Sequence, residues 1–140
     1  MLSDRELQIA FENCTLPREH WTHRAHVRMA FLYASGNPFP AALDRMRRSI
    51  KAYNAANHVP ESLERGYHET ITVAFMRLVC VAVQGSGPFP TSDAFCERHP
   101  ELLDKDVLRG FYSRERITSR EAKERFVEPD LAALPQAPPL

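Results

Sequence analysis

The chain has 140 residues, enough for one folded domain with a substantial core and too few for two independent domains. Its 18 basic and 18 acidic side chains cancel, so no long-range field would attract nucleic acid or an anionic membrane, and both partners are disfavoured. The amino terminus has no basic start followed by an apolar run, and no apolar segment approaches the ~20 residues that span a bilayer. We therefore expect a soluble, cytoplasmic protein.

The cysteines exclude two further classes of protein. Cys14, Cys80 and Cys96 are odd in number and widely spaced, and they include no CxxC pair. The pattern predicts neither a disulfide framework nor a cysteine zinc site. We expect reduced thiols that are packed as small apolar side chains.

Two helices are predicted in the first quarter of the chain. Ser3 and Glu6 have the spacing of a capping box, in which each side chain satisfies an exposed amide at a helix start. A second helix begins between Pro17 and Thr22 and ends near Ala34. Its inward face, read at helical spacing, consists of His23, His26, Val27, Ala30, Phe31 and Ala34.

Two longer helices follow. The third begins at Phe39 or Pro40 and carries an apolar stripe as far as Tyr53. Residues 54–66 show little periodicity and are predicted to be a connector. The fourth helix, from about Tyr67 to Val83, is the most apolar segment, and this predicts that it is the central helix.

Short helices are predicted in the last third of the chain. Thr91 or Ser92 can cap a helix that ends at Arg98, and Pro100 can open another. A final short helix is predicted to end near Phe126.

These elements predict an all-α fold. No alternation is long enough for a sheet, so residues 1–140 are expected to form a single-domain bundle of four main helices with short C-terminal accessory helices. Residues 128–140 are too rich in proline for a helix or strand. They are predicted to be an extended segment that is either packed on the domain or disordered. Phe39, Phe89 and Phe95 near loop ends would leave apolar surface, which allows a homo-oligomer.

Two histidine stretches are predicted to form one metal site. His23 and His26 are three residues apart, which places their β-carbons roughly 5 to 6 Å apart on a helix. His68 lies on the inward stripe at the start of the fourth helix. If the second and fourth helices run parallel, the three imidazoles converge. Neutral imidazoles suit Zn, Fe, Cu or Ni, and a fourth position remains for water or a carboxylate.

Acidic and aromatic neighbours complete the predicted site. Glu69 is the predicted catalytic base, acting on metal-bound water, and Glu19 is the other candidate carboxylate. Trp21, Tyr67 and Tyr112 are predicted to line an adjoining substrate pocket. The predicted function is therefore that of a metal-binding protein, and a metal-dependent enzyme that acts on a small molecule is the form of it that we consider.

Other interpretations remain open at this point. The histidines can form a metal-free binding or acid-base site, or a structural cluster, because inward histidines usually find partners within the protein. The alternative function is then a non-enzymatic ligand-binding or protein-interaction module. A zinc protease is rejected, because the HExxT sequence lacks the second histidine of HExxH. A helix-turn-helix is disfavoured, because no basic recognition helix follows a short turn.

Several stretches resemble the recurring motifs of a family of small uncharacterised bacterial proteins. They are Leu16-Pro17, the WTHRAHV sequence at 21–27, the YHETIT sequence at 67–72 and the EPDL sequence at 128–131. The resemblance spans nearly the whole chain and implies one helical domain that includes the segment from Glu128. It implies no particular reaction. We expect this segment to act as a clasp, in which Asp130 caps a helix or pairs with an arginine.

Overall fold

The computed structural model describes residues 1–136, and all the regular elements in this range are helical. The α-helices are α1 (Asp4–Glu12), α2 (His23–Gly36), α3 (Phe39–Ala56), α4 (Glu69–Ser86), α5 (Ser92–Arg98), α6 (Arg114–Ile117) and α7 (Arg120–Glu124). Three 3-10 turns lie at Arg18–His20, Pro100–Leu103 and Val107–Gly110. The all-α prediction is confirmed.

Side-chain caps set the helix starts. At α1 the Ser3 hydroxyl accepts a hydrogen bond from the Glu6 amide at 3.1 Å, and the Glu6 carboxylate accepts one from the Ser3 amide at 2.9 Å. This confirms the capping box. Thr91 caps α5, which ends at Arg98 as predicted. Thr22 caps α2 by accepting from the amide of Ala25, so the helix begins at the late end of the predicted range.

Other boundaries differ from the prediction. Helix α4 begins at Glu69 rather than Tyr67, because the His68 side chain acts as its N-cap. The helix predicted to open at Pro100 is instead a pair of 3-10 turns. Helix α6 was not predicted, because four residues are too few to show a helical period.

Helix α2 occupies the centre of the fold. It packs against α1, α3, α4, α5 and the 3-10 turn Pro100–Leu103, whereas α4 packs against α2, α3, α7 and the turn Val107–Gly110. The prediction that α4 is the central helix is therefore incomplete. The buried residues of α2 lie on several faces and are Ala25, Val27, Arg28, Met29, Ala30, Phe31 and Tyr33.

A buried arginine on α2 shows why the apolar pattern of the sequence did not identify α2 as the central helix. Arg28 is only 6% exposed, although arginine normally marks a solvated face. Its guanidinium donates to the Ser92 hydroxyl at 2.7 Å, to the carbonyl of Leu2 at 2.7 Å and to the Asp4 carboxylate at 3.2 Å. These contacts satisfy the charge and attach the amino-terminal segment and α5 to α2.

The buried apolar side chains form two clusters, and α4 contributes to both. The larger cluster surrounds α2 and includes Phe75, Met76 and Val79 of α4. The smaller cluster packs Ala74 of α4 against the carboxy-terminal part of the chain. By length and composition α4 could also cross a membrane, with a mean hydropathy of 1.2 over 18 residues, which we did not expect from the sequence. One third of this window is buried (33%), and the buried apolar residues of α4 belong to the two clusters.

The phenylalanines near loop ends are covered to different degrees. Phe95 is fully buried and stacks on Phe31 with ring centroids 4.8 Å apart. Phe39 and Phe89 are half-buried against the larger cluster. Of the three side chains, Phe95 therefore leaves no apolar surface, whereas Phe39 and Phe89 leave some. The homo-oligomer stays a prediction.

The carboxy-terminal segment packs on α4. Val127 and Leu134 are buried in the smaller cluster. The Thr70 hydroxyl donates to the carbonyl of Arg125 at 2.9 Å and accepts from the amide of Val127 at 3.1 Å. Asp130 accepts hydrogen bonds from the amide and hydroxyl of Ser113, which is the N-cap of α6. Of the predicted 128–140 segment, residues 137–140 lie outside the described residues.

We predict that Thr70→Val weakens this attachment while keeping the shape of the side chain. Thr70 is fully buried, so the buried amide of Val127 would lose its partner without access to water. The free energy of unfolding in a urea titration should fall by about 1 to 3 kcal/mol. Thr118→Val is the control, because Thr118 is exposed and bonds only within its own turn. Equal losses of unfolding free energy in the two variants would contradict the role of Thr70 in attaching the carboxy-terminal segment to α4.

Candidate functional site

A small pocket lies between the start of α2, α3 and the first half of α4. Its volume is about 130 Å³. The wall is mostly apolar and includes Met46, Ile50, Ile71, Phe75 and Leu108. The polar side chains in the wall are His23, His26, Thr72 and Lys105. An apolar cavity with a few convergent polar groups is the usual form of a ligand site.

His26 is held in one tautomer by its own helix. Its Nδ1 lies 2.8 Å from the carbonyl of Thr22. Because a carbonyl oxygen only accepts, Nδ1 carries the proton and Nε2 is left as an acceptor. Within residues 1–136 Nε2 has no hydrogen-bond partner. The ring also stacks on Trp21 with a centroid separation of 3.8 Å. Burial lowers the pKa of His26 to about 4, so the imidazole is neutral at pH 7.

His23 is fixed by a residue far along the chain. Its Nε2 donates to the carbonyl of Leu102 at 2.9 Å. The opposite nitrogen, Nδ1, is therefore the acceptor, and no partner for it is found in the described part of the chain. The ring packs edge-on against Phe75 with centroids 5.5 Å apart. The docking of the turn Pro100–Leu103 on α2 thus sets the chemistry of this imidazole.

Thr72 and Lys105 complete the polar wall. The Thr72 hydroxyl donates to the carbonyl of His68 at 2.8 Å, so it offers only a lone pair to any other group. The two imidazoles and this hydroxyl are therefore all acceptors. Among the described side chains of the wall, only Lys105 is a cation. The arrangement favours a ligand that donates hydrogen bonds and disfavours one that carries a positive charge.

His68 lies outside this pocket. Its Nδ1 accepts from the amide of Ile71 at 3.0 Å, and its Nε2 donates to the carbonyl of Ile117 at 2.7 Å. Burial lowers the pKa of His68, which keeps the ring neutral in this arrangement. The structure thus brings His23 and His26 together but not His68. Within residues 1–136, no group of three or more histidine, cysteine or acidic side chains is placed to hold a metal ion.

Glu69 and Tyr67 line a separate, wide groove beside α3 and α7. The Glu69 carboxylate accepts from Nε and Nη2 of Arg47 at 3.0 and 2.7 Å, and from the Tyr67 hydroxyl at 2.6 Å. Burial alone would raise the pKa of Glu69, but the hydrogen bonds from Arg47 and Tyr67 lower it. A carboxylate held in this way is a weak base. Glu19, the other candidate carboxylate, is exposed on the turn Arg18–His20.

The two remaining predicted pocket residues have supporting positions. Trp21 stacks between Phe11 and His26 and therefore braces the imidazole from behind. Tyr112 is buried, and its hydroxyl donates to the carbonyl of Val127 at 2.8 Å. It lines the groove next to the histidine pocket rather than the pocket itself.

Sequence reasoning missed the contributions of Thr72 as an acceptor, of Lys105 and of the carbonyl of Leu102. Thr72 lies four residues after His68, at the spacing of one helix face, and this is the available signal. Lys105 follows no periodic pattern, because it lies between two 3-10 turns.

Comparisons of the chain with protein-family models, with curated proteins and with solved structures found no match. The family resemblance of the sequence motifs therefore stays a prediction.

The pKa of His26 predicts a pH dependence of stability. The unfolded chain binds a proton on this histidine near pH 6.5, whereas the folded chain does so near pH 4. The unfolded state therefore holds more protons between these values, and the free energy of unfolding falls as the pH drops from 6.5 to 4. We expect the free energy of unfolding to fall by an amount on the order of 2 kcal/mol. This is less than the full pKa shift would give, because the His26 side chain is only half-buried.

In urea titrations at a series of pH values, His26→Gln should remove the part of the fall in the free energy of unfolding that comes from His26. The exposed His20→Gln is the control, and both are compared with the parent chain because His68 also titrates. Trp21 is the single tryptophan, so its fluorescence should be quenched with a midpoint near pH 4 as the stacked imidazole protonates. If the free energy of unfolding of His26→Gln had the same pH dependence as that of the parent chain, the lowered pKa of His26 would be contradicted.

Proposed function

We propose that the chain binds a small, mainly apolar molecule that donates a hydrogen bond to His26 or His23. One observation carries the proposal. Each of the two pocket imidazoles has one nitrogen bonded to a backbone carbonyl and the other left as an acceptor. A ligand donor in an otherwise apolar pocket would satisfy these nitrogens more strongly than water at the surface does.

The size of the pocket limits the ligand. A cavity of about 150 Å³ holds one benzene molecule, and drug-sized ligands need roughly 300 Å³ or more. At about 130 Å³, this pocket suits a single ring or an aliphatic group of similar size. Phe75 provides an aromatic wall for such a ring. A phenol or a ring N–H combines the apolar body with the required donor.

The arrangement disfavours proton transfer from the ligand. The burial that lowers the pKa of His26 to about 4 makes its imidazole a weak base, as the hydrogen bonds from Arg47 and Tyr67 do for the Glu69 carboxylate. The proposal is therefore one of binding and includes no reaction step.

Phenol and anisole provide a matched test of this proposal. Both have one ring, but anisole lacks the hydroxyl donor. Isothermal titration should show phenol binding at millimolar concentration and anisole binding about tenfold more weakly, since a lost hydrogen bond of about 1.4 kcal/mol is a factor of ten. Phenol binding should also shift the side-chain nitrogen resonances of His26.

His26→Leu should abolish the preference for phenol over anisole. His68→Asn is the matched control, because asparagine is also a good N-cap and His68 lies outside the pocket. Binding of neither ligand, or equal binding of both to the parent chain, would overturn the proposal.

A second candidate is the transition-metal function predicted from the sequence. One observation favours it: a metal-bound histidine usually donates its other ring N–H to a carbonyl or carboxylate. Both His23 and His26 have this arrangement. They would supply two ligands to Zn, Fe, Cu or Ni, with water or a bound molecule in the other positions. Lys105 in the wall acts against a cation and makes this the weaker candidate.

Elemental analysis and a Co(II) titration separate the candidates. The protein is prepared without a histidine tag and measured as purified and after incubation with each ion. A metal function requires one ion per chain, which is lost in His26→Leu and kept in His68→Asn. Failure to retain any ion in stoichiometric amount would reject this candidate and leave the binding of uncharged donors unaffected.

A further inference from the structure

We propose that the ligand of the histidine pocket carries a carboxylate, which lies in a cationic groove that adjoins the pocket. The ligand class is then a small amphipathic acid, with a ring and a hydrogen-bond donor at one end and an anionic group at the other. This inference rests on the proposed function and extends it.

The groove adjoins the pocket. It has a volume of about 730 Å³ and lies between the start of α4, the turn Val107–Gly110 and α6. Ile71, Lys105 and Leu108 line both the groove and the pocket. Because Ile71 and Lys105 are exposed, a molecule whose ring fills the pocket would reach the groove over these two side chains.

The charges along the groove favour an anion. Its wall contains the cations Lys105, Arg109 and Arg114 and one carboxylate, Asp106, so the excess is two positive charges. Arg109 pairs with Asp106 at 3.6 Å. Within residues 1–136, neither Lys105 nor Arg114 makes an ion pair. Asp130 is another carboxylate of this region, and Ser113 already holds it with two hydrogen bonds.

The two cations suit the carboxylate in different ways. Lys105 is a compact charge at the mouth of the pocket, and the planar guanidinium of Arg114 can donate two parallel hydrogen bonds to a carboxylate. Both side chains are exposed, so the contribution of each is modest and falls with salt. The imidazoles and the Thr72 hydroxyl of the pocket are acceptors, so the acidic group is directed past Lys105 to the groove and the donor end to the histidines.

The test compares 4-hydroxyphenylacetate with 4-hydroxyphenylacetamide. The two probes have the same ring and the same phenolic donor, and they differ in the charge at the other end. Isothermal titration of the parent chain at low salt should show the acid binding about tenfold more tightly than the amide, a difference of about 1.4 kcal/mol. The ratio should fall towards one as the salt concentration rises.

Two variants test which side chains cause the preference for the acid over the amide. Lys105→Gln should lower the affinity for the acid several-fold more than it lowers the affinity for the amide, and Arg114→Gln should do the same to a smaller degree. Arg120→Gln is the matched control, because Arg120 is an exposed arginine that lines the other groove. All three side chains are exposed, so folding should be unaffected, and circular dichroism checks this.

The outcomes distinguish the two proposals. If acid and amide bind the parent chain equally, the cationic groove has no role and this inference is overturned, while the histidine pocket stands. If the acid is preferred but Lys105→Gln and Arg120→Gln lower its affinity equally, the attraction is not local to the groove and the inference is again overturned. If neither probe binds, both proposals fail.

Discussion

The enclosure of α2 on all sides is the constraint on which the rest of the structure depends. A helix that is covered by four others can keep an arginine in its middle only if the guanidinium is fully hydrogen-bonded, because an unpaired buried charge costs several kcal/mol. Asp4 and Ser92 meet this requirement for Arg28. The same helix begins with His23 and His26, so the contacts that hold α2 in the core also hold the pocket imidazoles in place.

Backbone carbonyls determine which nitrogen of each pocket imidazole can accept a hydrogen bond. The carbonyl that orients His26 belongs to Thr22, one helical turn earlier, and is present wherever the helix forms. The carbonyl that orients His23 belongs to Leu102 and is available only in the folded chain. In both rings one nitrogen is bound to a backbone carbonyl, which leaves the other nitrogen to accept from a hydroxyl or N–H donor. Under the proposed function, the ligand is selected by the type of hydrogen bond it makes in addition to its size.

The second histidine motif, at residues 67–72, has a structural role. Both ring nitrogens of His68 are used, because Nδ1 caps α4 and Nε2 joins it to the carbonyl of Ile117 in the carboxy-terminal part of the chain. Glu69 pairs with Arg47 of α3 and accepts from Tyr67, which ties the start of α4 to its neighbour. Two motifs of similar composition at helix starts therefore have different roles, because the partners that reach them differ.

The sequence by itself determined the properties that depend on neighbouring residues. Helical periodicity and caps such as Ser3 and Thr91 are local, so the all-α fold, several helix starts and the inward position of His26 could be predicted. The tertiary structure alone decided the burial of Arg28 and the place of Lys105 in the pocket wall. Both depend on side chains and turns from distant parts of the chain, and no spacing along the sequence encodes which of these will meet.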